Sequence, residues 1–323
     1  MTVRAIAGLV ALNLFFVVVG AGILWGLRGW RWWTELVRLG GLAYLLGVTS
    51  VATTLTITLV VGIPFGWPVI LACGAAAFAG GLLLGWSKDR ARPGLRPPGW
   101  TFPRLTVLGA LWTAAIALYL EALFRSGRLA PLSEWDAWRC WTLRGKAIFY
   151  FEGLDAGVFD SPRCPGYPPG FSAIEAAGFH AMGSVDVVTL HLQYWFLAAG
   201  FIAALAGLLA PRVRQSVLLP FLLLLLVLPS LTDRVTDGRA DLPLAYTVAA
   251  GAVLVVLWLE DRHSWRLPAA TILFAGALLT KREGLLLVAF VLAAALACSW
   301  REKRRMWPPL LATALVSFAL SVP

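Results

Sequence analysis

Apolar residues run in long blocks along most of this chain, separated by short polar connections and one long polar segment. The blocks cover residues 5–27, 39–63, 66–86, 105–124, 187–209, 217–231, 242–259, 268–280, 284–299 and 308–323. About 20 helical residues cross the hydrocarbon core of a bilayer, where only helices and closed barrels satisfy their backbone polar groups. Because the blocks lack the two-residue alternation of barrel strands, they predict an all-α polytopic transmembrane bundle with about ten membrane segments.

Composition favours the same class of protein. Hydrophobic residues make up 59% of the 323 residues, charged residues only 14%, and the mean hydropathy is +0.79. A soluble domain carries a larger charged fraction than this. The first block is too long for a signal-peptide core and has no small-residue cleavage site before the next charges, so we expect it to be the first span. The last block is short for a span and ends with the chain, which suggests a C-terminally truncated fragment.

The basic residues between the blocks predict the orientation of the bundle. Alternate connections are rich in Lys and Arg, and such connections face the cytoplasm. The rich connections hold Arg28, Arg31, Arg38, Lys88, Arg90, Arg92, Arg96, Arg104, Arg212, Arg214, Arg262, Arg266, Arg301, Lys303, Arg304 and Arg305. Apart from the long segment, the opposite connections hold only Arg4, Arg234, Arg239, Lys281 and Arg282. The N-terminus is therefore expected outside, and the net charge of +10 belongs to span ends and anionic lipid rather than to nucleic acid.

The long segment, residues 125–186, is predicted to cap the outer mouth of the bundle with two interfacial amphipathic helices. The apolar face of the first helix would hold Trp138, Trp141, Ile148 and Phe149. Its opposite face would hold Arg139, Arg144 and Lys146. The second helix follows a Pro/Gly-rich turn and would present Phe171, Ile174, Gly178 and Met182 on one face.

The four cysteines divide into two kinds. Cys73 and Cys298 lie within apolar blocks, and we expect them to be packing residues. Cys140 and Cys164 both lie in the outer segment, in an oxidising compartment, and are predicted to form a disulfide that ties the two loop helices together.

Residues 280–284 join two apolar blocks, and the first of these, 268–280, is short. Its helix would rise about 20 Å against a hydrocarbon core of about 30 Å. Lys281, Arg282 and Glu283 are therefore expected below the outer surface, inside the protein or lining a wet cavity. Charges at that depth are costly unless paired, which favours a functional site. The alternative is that they extend to the outer head groups.

Asp136 is the strongest candidate for a proton acceptor, because tryptophans flank it at the expected membrane surface and would partly desolvate its carboxylate. The alternative is a helix N-cap, since Ser133 to Asp136 opens the helix. Asp241 could equally cap the span that starts at Leu242. We expect most of the other outer acids to be solvated; they are Glu121, Glu134, Glu152, Asp155, Asp160, Glu175, Asp186, Asp233, Asp237 and Glu283.

Metal chemistry is left open by the sequence. His180, His191 and His263 show no ligand spacing with a carboxylate, and no Walker pattern or serine-histidine-acid order is present. Glu134 and Asp136, with another outer carboxylate, could hold a divalent metal ion through oxygen ligands.

Four motifs occur in a characteristic order. They are EWDAWRCWTLRGKAIF from Glu134, GYPPGFSAIEA from Gly166, DGRADLPLAY from Asp237 and LLTKREGLLL from Leu278. In this order and predicted topology the chain resembles, over about residues 105–300, the GT-C class of membrane glycosyltransferases. This class includes polyprenyl-phosphate-sugar-dependent and protein O-mannosyltransferase-like enzymes. Two features depart from the family pattern. Family members usually place the loop after the first span, whereas here three extra spans precede it, and the two acids, Glu134 and Asp136, are separated by Trp135.

The resemblance implies roles for individual residues. Asp136 would be the catalytic base, with Glu134 as the neighbouring acid. The lipid phosphate and the rest of the substrate would be bound by Lys281, Arg282, Glu283, Arg144, Arg239 and Tyr167. Residues 1–104 would form an N-terminal three-span region, 105–299 a GT-C-like core with the outer loop 125–186, and 300–323 a C-terminal membrane segment.

The implied function is inverting transfer of a sugar from a polyprenyl-phosphate carrier to an acceptor hydroxyl on a glycan, lipid or protein. The reaction would take place on the outer face of a bacterial plasma membrane, in assembly of the cell envelope. Such a donor needs no nucleotide-sugar domain. A transporter or flippase for a lipid-linked substrate is the alternative, because intramembrane charges also line translocation paths. A non-catalytic scaffold is a third. The sequence does not identify the sugar, the carrier length, the acceptor or the oligomeric state.

Overall fold

A computed structural model describes residues 1–91, 94, 105–129, 134–161, 164 and 166–321, except for the side chains of residues 234 and 236. Within these ranges the chain forms helices and no strand, and one isolated bridge pairs Trp32 with Gly94. Predictions that involve Arg92, Arg96, Arg104, Ser133 or the Arg234 side chain lie outside the described residues.

The helices follow the apolar blocks closely. They are α1 (Val3–Arg28), α2 (Trp33–Arg38), α3 (Gly40–Val60), α4 (Trp67–Ser87), α5 (Val107–Leu129), α6 (Thr142–Phe151), α7 (Ala156–Phe159), α8 (Gly170–Met182), α9 (Val187–Leu209), α10 (Gln215–Val227), α11 (Pro229–Asp237), α12 (Asp241–Asp261), α13 (Arg266–Thr280), α14 (Glu283–Cys298) and α15 (Lys303–Ser321).

Six of the described helices are long and apolar enough to cross a membrane: α1, α3, α4, α5, α9 and α12. A seventh span results if α14 and the segment Trp300–Ser321, bent by 72° relative to each other, are taken together. The prediction of an all-helical, multi-pass membrane protein is confirmed at this level. The count of about ten segments is not, since α10 and α13 are shorter apolar helices.

The predicted block 217–231 is divided by a proline. Leu228 adopts an extended conformation between α10 and α11, and Pro229 opens the second helix. The residue before a proline is sterically disfavoured in the helical region, and Leu228 leaves that region here, although α10 itself continues through Pro220.

Close helix contacts form the centre of the bundle. Gly20 of α1 lies against the backbone of Ala43, and Gly47 of α3 against that of Phe16, so that a Cβ at either glycine would overlap the neighbouring helix. Small residues permit this approach in membrane helices. Nearby, the side chain of Asn13 donates to Gln193 (2.9 Å), which links α1 to α9 in a buried polar network.

The connections between helices gather at two ends of the bundle. At one, the loop end, Phe65 N donates to Glu152 O (2.7 Å) and Arg239 pairs with Glu134. At the other, the arginine end, Arg212 pairs with Glu260 (2.9 Å). The connections that are rich in basic residues therefore meet at one end, and the poor ones meet at the other.

Candidate functional site

The first loop motif begins with an unusual helical turn. Residues Ala137–Trp141 form a π-helical turn that leads directly into α6. A π turn closes i→i+5 hydrogen bonds, and it rotates the following residues relative to an α-helix. The predicted faces of this helix are therefore wrong in part. Arg144, expected on the polar face, is 1% exposed, and Trp138, expected on the apolar face, is 45% exposed, whereas Trp141 and Ile148 are buried as predicted.

Arg144 holds the loop together from inside. Its Nη1 donates to Tyr167 O (3.0 Å), and its Nη2 donates to Cys164 O (2.5 Å) and Phe159 O (3.1 Å). The guanidinium also lies 4.9 Å from the centre of the Phe159 ring. Both terminal nitrogens therefore donate to carbonyl groups of the loop. In this arrangement Arg144 stabilises the loop and does not face a substrate.

A disulfide fastens the same part of the loop. Cys140, in the π turn, is bonded to Cys164, with the two Cα atoms 5.8 Å apart. Cys73 and Cys298 are free thiols within α4 and α14. The disulfide and the Arg144 contacts together fix the segment that leads to Gly166 and Tyr167.

The second loop helix, α8, is buried rather than lying on a surface. Every residue from 170 to 179 is buried, and α8 packs against α1, α3 and α6. The prediction of an amphipathic surface helix at this position is therefore wrong. The apolar character of α8 on all sides is typical of a core helix.

Arg239 joins two motifs that are distant in the sequence. Its Nη2 pairs with Glu134 and lies 3.5 Å from Asp237 Oδ2. Its buried Nε has no hydrogen-bond partner among the described residues. The guanidinium therefore connects the start of the loop helix with the turn before α12.

Lys281 joins two further motifs. Its Nζ lies 2.7 Å from Asp241 Oδ1 and 3.6 Å from Glu283 Oε1, and its side chain is only 16% exposed. The ammonium also lies 5.9 Å from the centre of the Tyr167 ring. Burial opposes the charged form, but Asp241, Glu283 and Tyr167 together outweigh burial and raise the pKa of Lys281. Lys281 is thus a partly buried, paired cation, and Asp241 is the carboxylate that pairs with it.

Arg282 contacts the loop from the same hairpin tip. Its Nε donates to Gly166 O (2.7 Å), while much of its side chain stays exposed. Gly166 has φ +62°, and a Cβ there would overlap the Arg282 guanidinium. A side chain at position 166 would therefore be opposed both by the backbone conformation and by the contact.

Asp136 differs from its predicted environment. It lies immediately before the π turn and is exposed rather than desolvated. It makes no ion pair with another described residue. Its carboxylate is therefore accessible at the loop end, on the same helical turn as Glu134.

Glu175 was expected to be solvated, and this prediction is wrong: its side chain is 1% exposed. The Tyr194 hydroxyl lies 2.5 Å from Glu175 Oε1 and 3.0 Å from Gly238 O, and Thr142 Oγ1 donates to Oε1 (3.1 Å). Burial raises the pKa of Glu175 to about 8, although the bonds from Tyr194 and Thr142 oppose this shift.

The hydrogen bonds agree with a neutral Glu175. A tyrosine hydroxyl has one proton, and a carbonyl oxygen can only accept. If Tyr194 donates to Gly238 O, it must accept from Glu175, whose Oε1 then carries the proton. This network ends at Gly238, next to Arg239. One sequence signal could have located it: Glu175 is the only charged residue in a helix that is otherwise apolar on every side.

The candidate metal ligands are not assembled in the described part of the chain. No group of three or more His, Cys, Asp or Glu side chains is placed there to hold a metal ion. Glu134 is engaged by Arg239, and Asp136 stands apart from a third carboxylate. His180 packs against the Phe149 ring with 4.7 Å between ring centres.

Among the predicted site residues, Glu134 therefore contacts Arg239, and Lys281 contacts Tyr167 and Glu283. Arg144 instead donates to carbonyl groups inside the loop. Comparison with known proteins adds no further indication of function: no family model, no curated protein and no solved structure matches this chain.

Proposed function

We propose that this protein is a GT-C-class membrane glycosyltransferase that moves a sugar from a polyprenyl-phosphate carrier to an acceptor hydroxyl. The supporting observation is the meeting of all four motifs at the loop end. Glu134 contacts Arg239, and the hairpin tip contacts the segment around Gly166 and Tyr167. These contacts join residues separated by more than a hundred positions, including the acidic and basic groups that transfer from a lipid phosphate requires.

Asp136 accepts the acceptor hydroxyl proton. The acceptor oxygen attacks the anomeric carbon as the bond from that carbon to the phosphate oxygen breaks, so the anomeric centre inverts. The bonding electrons leave with the lipid phosphate, which is already a stable anion. An exposed, accessible carboxylate at the loop end suits the base, because it must reach a substrate proton directly.

Positive charge on the departing phosphate comes from the hairpin tip. Arg282 is exposed, and its hydrogen bond to Gly166 O uses only Nε. The terminal nitrogens of the guanidinium therefore remain as donors to phosphate oxygens. Lys281 is held by Asp241 beside Tyr167, where it adds a fixed positive charge. Glu134 and Arg239 position the turn before α12, and Arg144 positions the loop.

The membrane orientation follows from charge. The arginine end lies in the cytoplasm, and the loop end faces outward from a bacterial plasma membrane. In this proposal α10, α13, α14 and α15 also lie in the membrane, for about ten segments in all. The loop then lies at the outer boundary, where an apolar carrier tail and a polar sugar can both be accommodated.

The test is transfer of radiolabelled sugar from a polyprenyl-phosphate donor pool to membrane acceptors by native protein, Asp136→Asn and Asp160→Asn at equal expression. Asp160 is an exposed aspartate of the same loop and provides a matched control. We expect Asp136→Asn to lose at least about a hundredfold in rate, since general-base catalysis typically contributes that much, and Asp160→Asn to keep its activity. Full activity of Asp136→Asn would remove the base assignment.

One observation favours the alternative of a transporter. The segments around α14 and α15 form a bent pair, and broken helices are common where transporters bind substrate. Movement of unmodified labelled lipid across a vesicle bilayer, independent of any acceptor and combined with no sugar transfer, would establish transport instead of transfer.

A further inference from the structure

An arginine-lined cavity lies at the arginine end, away from the proposed active site. Its volume is about 740 Å³, and it is lined by α2 and by residues in or next to the connections that follow α1, α4, α9 and α12. Six arginines line it: Arg28, Arg31, Arg38, Arg90, Arg212 and Arg266. Glu35 is the only carboxylate among the described lining residues.

The nearby carboxylates neutralise about half of this charge. Arg28 pairs with Glu35 (2.6 Å), Arg212 with Glu260 (2.9 Å) and Arg266 with Asp261. The remaining three cations, Arg31, Arg38 and Arg90, have no carboxylate partner among the described residues. Residues 92–104, which complete the connection after α4, contain no Asp or Glu in the sequence.

Two further observations describe the environment of these cations. Burial lowers the pKa of Arg38, and the nearby charge of Arg28 lowers it further, while Glu35 partly offsets both effects. In addition, the Nε groups of Arg90 and Arg266 are buried without a hydrogen-bond partner among the described residues. Arg266 is only 5% exposed, so its free N–H donor cannot be satisfied at an open surface.

These features separate the cavity from the general basic character of this end. Arg301 and Arg304 belong to the same end but do not line the cavity. The six arginines named above, by contrast, line one partly open cavity. Guanidinium groups bind phosphate oxygens through paired hydrogen bonds, more strongly than they bind neutral acceptors.

We infer that this cavity binds a phosphate-bearing anion, held between the Arg38 and Arg90 guanidinium groups with Arg31 at its edge. The phosphate belongs either to an anionic lipid head group or to a soluble anion. Trp30 and Trp265 line the same cavity and give it an apolar wall. The site is independent of the proposed transferase chemistry, because it lies at the other end of the bundle.

The test is calorimetric binding to purified full-length protein in a neutral detergent. The probes are dioctanoyl phosphatidic acid, inorganic pyrophosphate and, as a phosphate-free control, dioctanoylglycerol. The cavity variant is Arg38→Gln/Arg90→Gln, which leaves the three ion pairs intact. The matched control is Arg301→Gln/Arg304→Gln, which removes the same charge from the same end.

We expect saturable binding of a phosphate-bearing probe, weakened at least about tenfold in the cavity variant and unchanged in the control variant. Binding of the lipid alone identifies a head group, and binding of both phosphate probes identifies the phosphate group itself as sufficient. If the double variant aggregates, Arg31→Gln, at an exposed position, is expected to weaken binding in the same direction. The proposal is wrong if neither phosphate probe binds, if dioctanoylglycerol binds equally well, or if the control variant loses as much affinity as the cavity variants.

Discussion

Lys281 Nζ lies 2.7 Å from Asp241 Oδ1, and this ion pair joins the end of α13 to the first turn of α12. The two residues come from different motifs. Considered alone, Asp241 could simply cap α12, and Lys281 could simply extend to the lipid head groups. Together they keep a cation and a carboxylate beside Tyr167 at the loop end. Their pairing explains how Lys281, at the tip of a short apolar hairpin, is accommodated in a partly buried position, whereas Arg282 and Glu283 are exposed.

Asp241→Asn is expected to destabilise the folded protein by about 1–3 kcal/mol, because it leaves the mostly buried Lys281 with only the more distant Glu283. Thermal unfolding in detergent, followed by circular dichroism, measures the effect. The control is Glu121→Gln, which removes an exposed pair with Arg125 and should cost no more than about 0.5 kcal/mol. Equal effects of the two substitutions would contradict the special role of Lys281.

The Cys140–Cys164 disulfide is expected to stabilise the loop by about 3 kcal/mol, because it constrains the unfolded chain. Cys140→Ser/Cys164→Ser should therefore make the loop more sensitive to proteolysis, whereas Cys298→Ser, at an exposed free thiol, should not. Alkylation of the unreduced, denatured protein and mass spectrometry should label Cys73 and Cys298 only. Labelling of Cys140 and Cys164 as well would contradict the pairing.

The helices could be predicted from the sequence because a continuous apolar run leaves the chain few alternatives in a bilayer. Predicted and observed helices agree within a few residues, as for the block 187–209 and α9 (Val187–Leu209). The break at Leu228–Pro229 does not show in the apolar pattern, because the leucines on its N-terminal side continue that pattern; Pro229 is the one signal of it in the sequence.

The candidate site was predicted less well, and the reason is local geometry. The π turn at Ala137–Trp141 changes the rotation of the loop helix, so the spacing of an ideal α-helix placed Arg144 on the wrong face. Glu175 was placed in solvent because carboxylates usually are, and only the tertiary contact with Tyr194 shows how a buried one is accommodated. The pairing of Lys281 with Asp241 likewise depends on contacts that span forty positions of the chain.

Gly166→Ala is expected to disrupt the contact between the loop and the hairpin tip. A Cβ at this position would overlap the Arg282 guanidinium, and the left-handed backbone adds about 1–2 kcal/mol for a residue with a side chain. Gly153→Ala is the control, because its Cβ would meet only one atom at 3.8 Å, in ordinary contact. We expect lower thermal stability and reduced sugar transfer for Gly166→Ala alone; an effect of the same size for both variants would show that the Arg282 contact is unimportant.

Glu175 should make the stability of the protein depend on pH. Its pKa is about 8 in the folded state, above the ordinary value of 4.5, so at neutral pH the folded protein retains a proton that the unfolded chain has released. Stability contributed by this proton is fully present below about pH 4.5, is lost as pH rises towards about 8, and is constant above that, with a slope of at most about 1.4 kcal/mol per pH unit.

Glu175→Gln should remove this dependence, because a carboxamide is neutral throughout the range and can donate to Tyr194 as the protonated carboxyl does. The measurement is thermal unfolding at several pH values between about 5 and 9. Glu152→Gln, at an exposed position of the same loop, should retain the native profile. Lys146, whose charge lowers the pKa of Glu175, offers a further check: Lys146→Gln should extend the fall in stability to higher pH, while its onset stays the same.

Because the Tyr194 hydroxyl links Glu175 to Gly238, beside Arg239, Glu175→Gln should also preserve sugar transfer, whereas Glu175→Ala, which removes the partner of Tyr194, should reduce it. Identical pH profiles for native protein and Glu175→Gln would show that Glu175 is ionised in the folded state.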